Sequence, residues 1–186
     1  MKNILTFLFS FFLLVSSAKA ASNFYYGIGT GLNFSPDTSN DHQLEFGSEP
    51  SHSVLISFGQ NYENWKYRVE FDARRHNFHG HNNMSGNFTL DGEKLAVYGV
   101  SFGVFVKYAN FSLGPIVGYS MLDAFDKKEF AWFTGAEVSY EYKLDDSFSV
   151  ELGYRYYKWE KLSNFGNMGK LAYDTHGSTL RFIVRP

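Results

Sequence analysis

The densest run of chemistry-bearing side chains in the chain is Lys66, Arg68, Glu70, Asp72 and Arg74, a charge at every second residue. A spacing of two places all five on one face of an extended strand and turns Trp65, Tyr67, Val69, Phe71 and Ala73 to the other. Charges taken out of water without partners are costly, so a file of this kind calls for counter-charges. Glu137, Glu141, Glu151, Arg155 and Arg181 supply them from three later segments with the same alternation. Together the ten are five basic and five acidic residues, suited to a static salt-bridged plug or, if pairs exchange, to a gated ion path.

Histidine offers two further chemistries. His76, His79 and His81 stand as H-x-x-H-x-H, and imidazoles so close together can ligate zinc or copper. The spacing matches no strong zinc signature and no fourth ligand is evident, so a polar surface loop is the preferred reading and no metal or cofactor is expected. His52 between Ser51 and Ser53, and His176 near Asp174 and Ser178, bring a base close to a hydroxyl. Neither cluster signals the geometry of nucleophile, base and orienting acid that an activated hydroxyl requires, so no catalytic residue is assigned.

The elements that carry these residues are all strands. Period-two alternation occurs in eight segments, near 24–34, 53–59, 65–74, 95–108, 111–120, 132–142, 148–156 and 177–184. Short turns at 61–64, 109–110 and 145–147 alternate with longer polar stretches at 35–52, 75–92, 123–129 and 160–174. This predicts an all-β fold, an eight-stranded antiparallel up-and-down barrel with both chain ends on the short-turn side. One face of the strands is bulky and apolar, the other largely Gly and Ser with the charges. An eight-stranded barrel has room inside only for side chains that fill it, so the small and charged face is assigned to the lumen and the bulky face to lipid. The barrel is therefore read as transmembrane rather than soluble. Phe24, Tyr26, Trp65, Tyr67, Tyr108, Phe111, Tyr140, Tyr142 and Phe148 gather near the short turns, as aromatics do at a membrane interface.

Register follows from the last short turn. Three turn residues at 145–147 set Leu144 opposite Phe148, Glu141 opposite Glu151 and Glu137 opposite Arg155. Glu137 is expected to pair with Arg155, and Arg181 to sit between Glu141 and Glu151. The charges of the 65–74 segment are expected to reach across the lumen.

The first residues have a different purpose. Met1-Lys2-Asn3, an apolar run to Val15 and small residues at Ala18 and Ala20 form a signal-peptide pattern, giving a signal segment at 1–20 and a barrel domain at 21–186. Loss of Lys2 and Lys19 would take the net charge from −2 to −4, which carries no nucleic-acid footprint. The chain has no cysteine, so disulfides and lipid anchoring through an N-terminal Cys are excluded. A mean hydropathy of −0.27 and the lack of a second long apolar run exclude a helical membrane protein.

The alternation and turns resemble the small outer-membrane barrels typified by the transmembrane domain of outer-membrane protein A, and the related attachment and invasion proteins. Thr175, Gly177, Leu180 and Phe182 fit the polar-x-Gly-x-x-apolar-x-apolar signal read by the barrel assembly machinery of such proteins. Residues 183–186 follow Phe182, leaving the last strand to end there or at Val184. The resemblance implies a monomer in the outer membrane of a Gram-negative bacterium, surrounded by lipid and lipopolysaccharide. It further implies a non-enzymatic surface role, in adhesion, host interaction or envelope integrity, through four extracellular loops that meet a host or surface ligand. The alternatives are a lipid A-modifying enzyme and a narrow ion-conducting pore.

Overall fold

The structure, a computed structural model, describes residues 23–34, 50–77, 94–124, 127–160 and 174–186. The proposed signal segment, and His42, His79 and His81, lie outside these residues. Eight strands run in chain order: β1 (Phe24–Phe34), β2 (Ser51–Asn61), β3 (Trp65–Asn77), β4 (Lys94–Tyr108), β5 (Phe111–Ala124), β6 (Lys127–Lys143), β7 (Phe148–Trp159) and β8 (Asp174–Val184). Each pairs antiparallel with the next, and β1 pairs antiparallel with β8, closing the barrel. The last strand thus ends at Val184.

Closure fixes a stagger that no single hairpin reveals. Followed from Arg181 through Gly29, Leu55, Asp72, Gly99 and Ser120, the register reaches β6 at Ala131. Followed the other way, through Glu151, it reaches β6 at Glu141, ten residues along the strand. Such a stagger tilts the strands steeply, by roughly 35–45° in barrels of this type. Residues from different turns of the sequence are thereby brought to one height in the lumen.

Turn chemistry pins the hairpins at one end. Asp145 Oδ1 accepts the N–H groups of Ser147 and Phe148, both at 2.7 Å, an Asx turn that reverses the chain between β6 and β7. Between β4 and β5 the turn has two residues, and the first, Ala109, has φ of 52°. That position in a II′ hairpin favours glycine. Ala109→Gly is expected to stabilise the barrel by about 1 kcal/mol, read as a higher midpoint in urea unfolding.

The β4–β5 ladder lapses between the pairs Gly103↔Ile116 and Val106↔Leu113. Pro115 lies in the gap and has no N–H to donate, and beside it Gly114 lets the two backbones close up. A Cβ on Gly114 would meet Phe105 Cα at 2.7 Å and the Val104 carbonyl carbon at 2.8 Å. Gly114→Ala is therefore expected to cost about 1–3 kcal/mol through overpacking against main chain, measured by the same unfolding assay.

The outer wall is an apolar belt. Ile28, Val54, Ile56, Val100, Phe102, Leu113, Val117, Val138, Leu152 and Phe182 are all exposed. Among strand residues whose side chains are described, the Asp, Glu, Lys and Arg that point outward are Arg75, Asp123, Lys128, Lys158 and Asp174, all at the long-loop end. Aromatics ring the belt at both ends. Tyr26, Trp65, Tyr108, Phe111, Tyr142 and Phe148 mark the short-turn end, and Tyr98, Tyr119, Phe130, Trp132, Tyr154 and Tyr156 the other. An apolar band between aromatic girdles is the surface a barrel presents to a bilayer, and water could not solvate it. The chain is an all-β, eight-stranded transmembrane barrel.

Two expectations are corrected. The stretch 123–129 is no long loop: β5 continues to Ala124 and β6 starts at Lys127. Asp123, Lys127, Lys128 and Glu129 belong to strand ends, and Asp123 faces Lys128 on the outer wall with their charged groups 3.5 Å apart. Nor are large apolar side chains confined to the outer face, because Tyr25, Leu55, Leu95, Val97, Phe105, Ile116, Leu122, Phe133, Tyr157, Trp159 and Ile183 are buried on the inner one.

Candidate functional site: the charged lumen

Alternation along β3 turns Lys66, Arg68, Glu70, Asp72 and Arg74 inward, and each is buried. β6, β7 and β8 face them with Glu137, Glu151, Arg155 and Arg181, each no more than 1% exposed. Gly29 on β1 and Gly153 on β7 leave room for this network: a Cβ on Gly29 would meet Arg181 Cγ at 2.9 Å, and one on Gly153 would meet Arg181 Nη1 and Glu137 Oε1 at 3.2 Å. The result is a network across the barrel axis in which β3 bonds to β6, β7 and β8 rather than to its own neighbours.

The network has two storeys. In the one nearer the short turns, Lys66, Arg68 and Arg181 meet Glu70, Glu137 and Glu151. Arg181 is the hub: Nε donates to Glu70 Oε2 at 2.7 Å, Nη2 to Glu137 Oε2 at 2.9 Å, and Nη1 to Glu137 Oε1 at 3.1 Å and Glu151 Oε1 at 3.0 Å. Arg68 forks onto Glu137 Oε1 at 2.6 Å and Glu151 Oε1 at 2.8 Å. Lys66 donates to Glu151 Oε2. Three cations and three carboxylates balance, and all six carboxylate oxygens are bonded. In the upper storey Arg155 bridges Glu70 Oε1 at 2.7 Å and Asp72 Oδ2 at 3.0 Å. Arg74 also donates to Asp72 Oδ2, at 2.6 Å.

Aromatic rings close both faces of this network. On the short-turn side, Phe105 lies under Arg68, 4.7 Å from the guanidinium carbon to the ring centroid. On the long-loop side, Phe133, Tyr157 and Trp159 pack with ring centroids 4.9 to 5.6 Å apart. Arg74 stacks over Tyr157 and Trp159 at 5.4 and 5.1 Å. Trp159 Nε1 donates to Ser120 Oγ at 2.8 Å, fixing the ring in place. A lumen filled in this way holds the wall strands in register.

The partners differ from those the hairpin register suggests. Glu137 does face Arg155 across the β6–β7 ladder, yet Arg155 bonds to Glu70 and Asp72 while Glu137 is held by Arg68 and Arg181. Glu137→Ala would therefore release Arg68 and Arg181, not Arg155. Arg181 reaches Glu151 but not Glu141, which pairs with Arg185 and accepts from Ser149 Oγ at 2.7 Å at the half-buried mouth. Arg185, Phe105, Tyr157 and Trp159 were missed, although each shares the parity of an inward residue two or four places before it.

The two serine–histidine clusters do not come together as a nucleophile with its base. His52 points outward while Ser51 and Ser53 are buried in the lumen, since neighbours on a strand face opposite ways. His176 Nδ1 is 2.8 Å from Tyr154 Oη and its ring stacks on Phe34, whereas Asp174 accepts from Tyr156 at 2.9 Å. His76 sits in β3 opposite Leu95. Within β8, Thr175 and Gly177 face the lumen and Phe182 the outer wall, with Leu180 half-exposed.

No protein-family model matches the chain, and no curated protein matches it. Solved structures do. Neisserial surface protein A aligns at a TM-score of 0.59 with 13% identity, over 88% of this chain and 97% of that one. The outer membrane protein OprG from Pseudomonas aeruginosa aligns at 0.55 with 10% identity, over 88% and 97%. The outer membrane protein AlkL, solved in lipid bilayers, aligns at 0.51 with 13% identity, over 89% and 92%. With the apolar belt and its two girdles, these likenesses give the chain the fold of the small eight-stranded outer-membrane barrels.

Proposed function

We propose that the protein is a non-enzymatic outer-membrane surface protein acting through the segments at its long-loop end, in adhesion or host interaction before envelope integrity. The observation that carries this reading is the filled lumen. Salt bridges and two aromatic layers occupy the barrel axis, so specificity is left to residues 35–49, 78–93 and 161–173. Loops on a rigid scaffold are where binding residues concentrate. The reading includes export by residues 1–20, insertion by the assembly machinery through Thr175, Gly177, Leu180 and Phe182, and a monomer in lipid and lipopolysaccharide. Metal binding by His76, His79 and His81 is no part of it.

The test is a binding screen against host cells and extracellular matrix, with each of the three segments replaced in turn by a short Gly-Ser turn. Loss of binding on replacing at least one, with the barrel still folded, is the expected outcome. Binding unchanged by all three replacements would overturn the adhesive role.

A further inference from the structure

The two storeys of the lumen differ in charge. The storey nearer the short turns is neutral and fully bonded. The upper one holds two guanidiniums, Arg74 and Arg155, against one carboxylate, Asp72, and both donate to the same oxygen, Oδ2. Arg155 also donates to Glu70 Oε1, but the charge of Glu70 already balances the lower storey. The upper storey therefore carries one excess positive charge.

Its hydrogen bonding is incomplete in the same place. Four buried side-chain atoms have no hydrogen-bond partner among the described residues, and three are Arg74 Nε, Arg155 Nε and Asp72 Oδ1. The neighbouring polar groups are engaged with other atoms. Arg74 Nη1 uses Thr175 Oγ1 at 3.2 Å, Arg155 Nη1 uses Tyr157 Oη at 3.0 Å, and the indole of Trp159 already donates to Ser120. The aromatic faces stabilise Arg74 as a cation without neutralising it.

We propose that the upper lumen is a binding site for one small monovalent anion of the halide class, held by Arg74 and Arg155 beneath Tyr157 and Trp159. Several features select that ligand. A single excess charge calls for a monovalent ion, and a buried guanidinium with an unpartnered N–H is stabilised by an anionic acceptor. Both arginines are at least 96% buried, which favours an ion of atomic size over a bulky carboxylate or phosphate. Asp72 Oδ1 needs a donor, not an anion, so a water that donates both to Oδ1 and to the ion completes the site. The ion would tie the charged storey to the aromatic lid.

The test uses the full chain folded in a zwitterionic detergent, with its thermal midpoint measured in sodium chloride and in sodium gluconate at equal ionic strength. The wild type is expected to melt higher in chloride, by an increment that saturates with concentration. Arg74→Met makes the storey neutral and is expected to abolish the increment, whereas Asp72→Asn raises the excess charge and is expected to enlarge it. Opposite responses from two neighbours would not come from a packing role. If either variant fails to fold, a crystal of the wild type in bromide decides through an anomalous peak within hydrogen-bond reach of Arg74 and Arg155. Equal midpoints of the wild type in the two salts, an increment that survives Arg74→Met, or no anomalous peak would each overturn the proposal.

Discussion

Replacing Arg181 by methionine is expected to lower the unfolding free energy by about 3–5 kcal/mol, the usual cost of breaking a buried ion pair from one side. The size of the loss comes from how many groups depend on this one guanidinium. Glu137 Oε2 has Arg181 as its donor, and so has Glu70 Oε2, at 2.9 and 2.7 Å. Removing the cation leaves three buried carboxylates facing Arg68 and Lys66. Methionine nearly preserves volume, so a cavity contributes little. The same logic predicts a partial rescue: Arg181→Met with Glu137→Gln restores neutrality and is expected to recover part of the loss. Urea unfolding followed by tryptophan fluorescence in lipid vesicles measures both. A double variant no more stable than the single one would mean that charge balance is not what Arg181 supplies.

The second large effect lies on the other side of the wall. Ile28 is 61% exposed, on β1 between the two aromatic girdles. Ile28→Arg is expected to cost about 2–4 kcal/mol in a bilayer, the range for arginine near the midplane of a barrel's lipid face. Arg75→Ala, at the end of the belt where charges already occur, is the matched control and is expected to be near neutral. On a water-facing wall the two changes would be equally mild. Refolding yield and urea midpoint in vesicles separate the cases.

Much of this was legible in the sequence because period two is an unambiguous signal when one face is bulky throughout. The eight strands, their order, the inward file on β3 and the Glu141↔Glu151 register all follow from alternation and one turn length. The choice of ion-pair partner was not legible. Hairpin register tells which residues are neighbours on the wall, but arginine and glutamate side chains long enough to reach the axis choose partners across it. Which residues meet there depends on the ten-residue stagger fixed only at closure. Arg155 thus passes over Glu137 for Glu70 and Asp72. Strand ends were the other weak point, since Asp123 and Lys128 are polar for the interface rather than for a loop. Tyr157 and Trp159 were hidden similarly, as aromatics just past the apparent end of β7 that keep its inward parity.

The central claim is a barrel whose outer wall faces lipid and whose lumen is filled. The absence of native cysteine makes a direct measurement simple. Four single substitutions are placed in lipid-embedded protein: Ala136→Cys and Val138→Cys on the outer wall, Ser112→Cys and Ser139→Cys in the lumen. Each is exposed to a charged, membrane-impermeant thiol reagent before and after denaturation. The account predicts that none reacts in the folded protein and all four react once it is unfolded. Reaction at Ser112→Cys or Ser139→Cys in the folded state would reveal a water-filled lumen, and reaction at Ala136→Cys or Val138→Cys an outer wall in water; either would contradict it.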